Sequence, residues 1–174
     1  SYSCGIKKGQ RVMIECIGES AYGLLKELVK GAYALGAFPF TSLKNNSIKR
    51  EILKNCSKEQ LDFMAKHDLE EMKGIDAFIG IRASDNVSEL GDVKAKNINS
   101  YMKHYAEIVN EERVNNTSWV VLKYPNNSMA QLAGIGLESF EDFYFKVCNL
   151  DYGKMSKAMD NLVGMMEKTD KVKI

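Results

Sequence analysis

Histidine is nearly missing from this 174-residue sequence, which holds only His67 and His104. Metal-assisted hydrolysis needs several His, Asp or Glu ligands converging on one point. The two histidines lie far apart in helical segments, and neither belongs to a His-Glu-x-x-His motif. They read as surface or half-buried helix residues, so a catalytic metal site made wholly by this chain is not expected, and no metal ligand is assigned. Cysteine is sparse too. Cys4, Cys16, Cys56 and Cys148 include no Cys-x-x-Cys pair and have no histidine at metal-finger spacing. Reduced thiols in a cytoplasmic compartment are expected. Cys16 falls inside an apolar strand pattern and reads as inert core. No apolar run is long enough to span a bilayer, and the opening "SYSCGIKKGQ" has no signal-peptide core. An excess of one charge is also lacking: 24 basic against 23 acidic residues give +1. No global field draws in nucleic acid or membrane, and Lys7-Lys8 and Lys49-Arg50 are isolated pairs, so neither partner is expected.

Several catalytic signatures are absent as well. There is no Gly-x-Ser-x-Gly elbow and no Gly-x-x-x-x-Gly-Lys-Ser/Thr loop. After the first apolar run, "CIGESAYG" lacks the closely spaced glycines of a dinucleotide-binding turn. The serines at strand-to-helix junctions, Ser20 and Ser128, read as helix caps rather than nucleophiles. Phe140, Phe143, Tyr144 and Phe145 lie at near-helical spacing among acids and read as packing. No catalytic residue is assigned.

What is present is an ordinary globular composition, 45% hydrophobic and 27% charged, on a chain of single-domain length. Four short apolar runs read as strands: Arg11–Ile17, Ala37–Leu43, Ala77–Ile81 and Trp119–Leu122. Runs apolar on both faces suit a buried parallel sheet, and Pro39 marks the second as an edge. Helical patterns separate them. Ser20 caps the first and Gly36 closes it; others begin at Ser47, Ser57, Ile98, Ser139 and Asp151. The stretch 84–97 is the longest irregular one. The expected class is α/β: one three-layer αβα domain over residues 1–174, with a mostly parallel central sheet, flavodoxin-like or Rossmann-like. The chain begins without Met and closes on "KVKI", which resembles the start of a strand. A segment of a longer protein is expected.

Ligands of open parallel sheets sit beyond the carboxyl ends of the strands. Here those ends carry "GES" (residues 18–20), "RASDN" with Arg82, Asp85 and Asn86, and "YPNNSMAQ" with Tyr124, Ser128 and Gln131. An arginine at such a point either pairs with a nearby acid or faces a ligand, and pairing is the more economical.

Three stretches carry a family likeness: "DAFIGIRASDN", "WVVLKYPNNSMAQLAG" and "FEDFYFKVCNLDYGKMSKAMDNLVGMMEKTDKVKI". With the opening "YSCGIKKGQRVMIE", they closely resemble the N-terminal half of the thermophilic metalloproteases, the aminopeptidase T and S family. The resemblance covers essentially the whole chain. It implies a cytoplasmic, bacterial, homodimeric exopeptidase that removes N-terminal residues from peptides with two divalent metals, cobalt, zinc or similar. The family's metal ligands lie in a C-terminal catalytic domain, so none transfers to a residue here. The chain would be a non-catalytic N-terminal domain that shapes the substrate cavity, with Arg82, Asp85, Asn86, Tyr124, Ser128 and Gln131 as candidate wall residues. Two other readings stand beside it. One is a free-standing flavodoxin-like module binding a small anion at the same loops. The other is a structural docking domain that uses its Met-rich last helix.

Overall fold

A computed structural model describes residues 3–171 and residue 173. The suggested closing strand spans residues 171–174, of which 172 and 174 lie outside the described residues. Four strands form one sheet: β1 (Arg11–Ile17), β2 (Phe38–Lys44), β3 (Ala77–Arg82) and β4 (Ser118–Lys123). Each lies within one residue of the apolar run that announced it. All pairings are parallel, in the order β2-β1-β3-β4. Pro39 accordingly lies on an edge strand, where its missing N–H costs no ladder bond.

The helices cover both faces. Alternation along β1 sends Val12, Ile14 and Cys16 one way and Met13, Glu15 and Ile17 the other. The first set packs with Ile79, Ile81 and the buried Leu25 and Ala32 of α1 (Tyr22–Ala34). On the second face, Met13 and Phe78 meet Met72 of α3 (Lys58–Lys73) and Val109 of α5 (Glu107–Asn116). Right-handed crossovers require this division once the strand order reverses after β2. The three-layer αβα architecture with an all-parallel sheet is therefore present.

The helix boundaries correct several expected caps. Ser57 does cap α3, accepting from the Gln60 N–H at 3.2 Å. Ser47 does not begin α2 (Asn46–Asn55); the Asn45 side chain caps it, accepting from the Ser47 N–H at 2.8 Å. Ser20 caps nothing. It lies in a 3-10 turn, Glu19–Ala21, and its hydroxyl donates to the Ala83 carbonyl at 3.3 Å. Ser128 is inside α6 (Asn127–Ala133), and Asn126 is the cap. Ser139 likewise lies inside α7 (Leu137–Cys148). Asp151, expected to begin the last helix, caps α8 (Tyr152–Met166) through the Gly153 and Lys154 N–H groups. Gly36 closes α1 with φ at 71°, the Ala37 N–H reaching the Ala32 carbonyl and the Gly36 N–H that of Tyr33. The helix expected from Ile98 is longer: α4 (Ala95–Tyr101) runs through a π-helical turn, Met102–Ala106, into α5.

Candidate functional site

The sheet order reverses between β1 and β3, the place where open α/β sheets hold ligands. Here the two strand-end loops touch through their backbones. The Ala83 N–H donates to the Ile17 carbonyl at 2.7 Å. Gly18 passes so close that a Cβ built on it would lie 2.0 Å from the Ala83 oxygen. Its φ of 99° is open to glycine and strained for other residues.

A polar clip extends this contact along the strand ends. Asn126 is 3% exposed; its amide oxygen accepts from the Met129 N–H at 3.1 Å and its amide nitrogen donates to the Ser84 carbonyl at 2.9 Å. Asn46 donates to the Ser84 hydroxyl at 3.0 Å. One loop serine thus ties α2 and α6 to the end of β3. Asp85 and Asn86 are exposed beyond it, with Asn86 turning the chain by accepting from the Ser88 N–H. Gln131 is exposed on α6, and Ser128 is buried. Tyr124 packs on the α1 side of the sheet, edge-on to Phe145 with ring centroids 6.2 Å apart. Arg82 points to the other face. The six sequence-selected residues therefore divide between the two sides of the sheet and the loop above it.

The face that Arg82 joins carries a cavity of about 520 Å³ between the sheet, α2, α3 and the π-bearing helix. At its floor lies Glu15, 8% exposed at the centre of β1. Its carboxylate meets Lys44 Nζ at 2.7 Å and Arg82 Nη1 at 2.8 Å. The Arg82 contact is an ion pair without hydrogen-bond alignment, since that buried Nη1 has no hydrogen-bond partner. Burial alone would raise the Glu15 pKa; Lys44 and Arg82 together reverse this and hold it below the ordinary carboxylate value. Gly80 makes the arrangement possible. Its absent side chain leaves the space beside Arg82 Nη2, which a Cβ would crowd at 3.2 Å.

Aromatic groups complete the walls. Tyr101 and Tyr105 stack at 5.0 Å on either side of the junction between α4 and the π turn. The Tyr105 hydroxyl donates to Asp68 on α3. Lys49 Nζ stands 4.3 Å from the Tyr101 ring centre, and the Arg113 guanidinium 4.8 Å from that of Phe78. Burial lowers the pKa of Lys49, and the Lys44 charge lowers it further. The cavity residues other than Arg82 escaped sequence reasoning, although a glutamate amid "RVMIECI" was a visible signal.

The remaining reactive groups do not converge. His67 and His104 face different carboxylates, Asp68 at 3.1 Å and Asp62 at 3.2 Å. Among the described residues no three His, Cys, Asp or Glu side chains are placed to hold a metal ion. The donor set of the described residues does not fit a dinuclear centre. Cys16 is fully buried, with its thiol pKa raised by burial. Among the described residues no helix is long and apolar enough to cross a membrane.

The model of the thermophilic metalloprotease (M29) family matches residues 1–171. The chain belongs to this family. Among solved structures it is similar to wild-type AmpT from Thermus thermophilus, with a TM-score of 0.54 and 18% identity over 71% of this chain. That likeness supports the fold. It spans 33% of the AmpT chain, so this M29 chain matches about one third of that protein's length. No curated protein matches it.

Proposed function

We propose that this M29 chain is the N-terminal domain of a dinuclear metal-dependent aminopeptidase, a hydrolase that removes N-terminal residues from peptides. Membership of the M29 family across residues 1–171 carries the reading. Within the parent, the domain is non-catalytic and shapes the substrate cavity. The strand-end loops supply part of its wall through the exposed Asp85, Asn86 and Gln131, with Arg82, Tyr124 and Ser128 seated behind them. The clip through Ser84 and Asn126 supports this role, because it fixes those loops against one another without using their outer polar groups. The two divalent metals, cobalt, zinc or similar, are held by a C-terminal catalytic domain.

That domain is the proposed partner of α8, and the parent is a cytoplasmic homodimer. Met159, Leu162, Val163, Met165 and Met166 are all exposed on or beside the last turns of α8. Such a concentration of apolar side chains on a globular protein marks a contact surface, and methionine adapts well to a partner.

Hydrolysis of amino-acid amides by the parent and by this chain, with added cobalt, zinc or manganese, tests the reading. Turnover by the parent alone is expected. Turnover by the 174-residue chain refutes the non-catalytic role, and an inactive parent refutes the aminopeptidase assignment.

A further inference from the structure

The cavity over β1 and β3 carries charges that its own residues do not balance. Four cations line it: Lys44, Lys49, Arg82 and Arg113. Of the carboxylates, Glu15 is shared between Lys44 and Arg82. Asp68 already accepts from Tyr105 and pairs with His67. Glu71 is exposed and makes no ion pair among the described residues. Lys49 and Arg113 therefore rest on aromatic faces with no carboxylate partner among the described residues. Buried polar atoms go unpaired rarely, because each one costs about 1–3 kcal/mol. Here Arg113 Nε has no hydrogen-bond partner, and Arg82 Nη1 meets Glu15 as an ion pair without hydrogen-bond alignment.

Two further features mark the place. π-helical turns occur frequently at functional sites, and the one at Met102–Ala106 helps set Tyr101 and Tyr105 on the cavity wall. The volume of about 520 Å³ falls within the ~300–1,000 Å³ range of small-molecule sites. The walls are apolar at Met64, Ile48 and Ile52; Lys44 and Arg82 stand on the sheet, Lys49 on α2 and Arg113 on α5.

We propose that this cavity binds a small organic anion, its carboxylate or phosphate head held by Arg113, Lys49 and the free edge of Arg82, its apolar body lying against Tyr101, Met64 and Ile48. Guanidinium groups suit both heads because their forked donors match two oxygens at once. The inference is independent of what the parent hydrolyses.

Calorimetric titration of the chain with N-acetyl-phenylalanine, its uncharged amide and inorganic phosphate tests the proposal. The carboxylate should bind at least about tenfold more tightly than the amide. Measurable phosphate binding in addition would identify the oxyanion alone as sufficient, and carboxylate binding without it would show that the apolar body is needed; both support the site. R113M and K49M should each weaken binding about tenfold or more. R113M should also unfold at an equal or higher temperature than the wild type without ligand, since it removes an unpaired buried donor; a purely structural arginine would lower it. If R113M does not fold, K49M alone decides. Equal binding of acid and amide overturns the proposal, as does undiminished binding by the folded variants, or dissociation constants above about 1 mM for both anions.

Discussion

Replacing Gly18 with alanine tests the contact that closes the strand-order reversal. The new Cβ would lie 2.0 Å from the Ala83 oxygen and 2.5 Å from its carbonyl carbon. Both are backbone atoms, fixed by the 2.7 Å bond from the Ala83 N–H to the Ile17 carbonyl. Relief requires a displacement of roughly 1 Å, comparable to overpacking a core and costing about 1–3 kcal/mol. The φ of 99° and ψ of 137° add about 1–3 kcal/mol for a residue with a side chain. The sum is about 4 kcal/mol. With a urea m-value of about 2 kcal/mol/M, the unfolding midpoint should fall by about 2 M. G134A is the control. Gly134 also has positive φ, 69°, but nothing lies within 4 Å of its Cβ position. The left-handed backbone alone should cost it about 1 kcal/mol, or about 0.5 M. A G18A midpoint no lower than that of G134A would refute the claim that the two loops are in backbone contact.

Three other outcomes follow from the same geometry. N126A should destabilise by about 2 kcal/mol in urea, through loss of the cap and of the Ser84 link, while S128A stays within about 0.5 kcal/mol. E15Q should cost about 2 kcal/mol, less than the ~3–5 kcal/mol of a fully buried pair, because Lys44 and Arg82 keep some solvent contact. Acid titration separates the charge from the shape. The Glu15 pKa is lower folded than unfolded, so its contribution is complete above the ordinary value of 4.5 and is lost as pH falls through the folded value. Unfolding midpoints measured from pH about 6 down to about 3 should therefore drop less in E15Q than in the wild type; parallel curves would show that Glu15 carries no such linkage.

The sheet was legible because its strands are buried on both faces and leave short apolar runs in the sequence. The caps were less so. "NNS" occurs at both 45–47 and 126–128, and each stretch offers three capping residues in a row. In each case the first asparagine takes the cap, since its side-chain oxygen reaches the N–H two or three residues on. Serine, being equally good in general, pointed two residues late in both. The strand-end loops were placed correctly as the ends of β1, β3 and β4, but which face each side chain takes follows from the pleat. That sends Arg82 and Tyr124 apart. The charged cavity was hidden for another reason. Lys49 and Arg113 have the spacing of solvated helix charges, and only the folding of α2 and α5 over Glu15 and Phe78 gives them a shared surface.

The π turn at Met102–Ala106 amounts to one residue more than a regular helix between Ala95 and Asn116 would hold. Deleting a single residue there would restore regular geometry, because the bulge absorbs a residue that a regular helix would spend on about 100° of turn. The segment beyond keeps its phase, so Val109 stays on the sheet, Arg113 stays over Phe78, and the entry into β4 stays pinned by the Ser118 N–H on the Asp76 carbonyl. The cavity wall would change instead, since Tyr101 and Tyr105 stand at the edge of the turn and inside it. A one-residue deletion should therefore be tolerated better within this turn than at Asn110 in regular α5, where it would swing Arg113 away by about 100°.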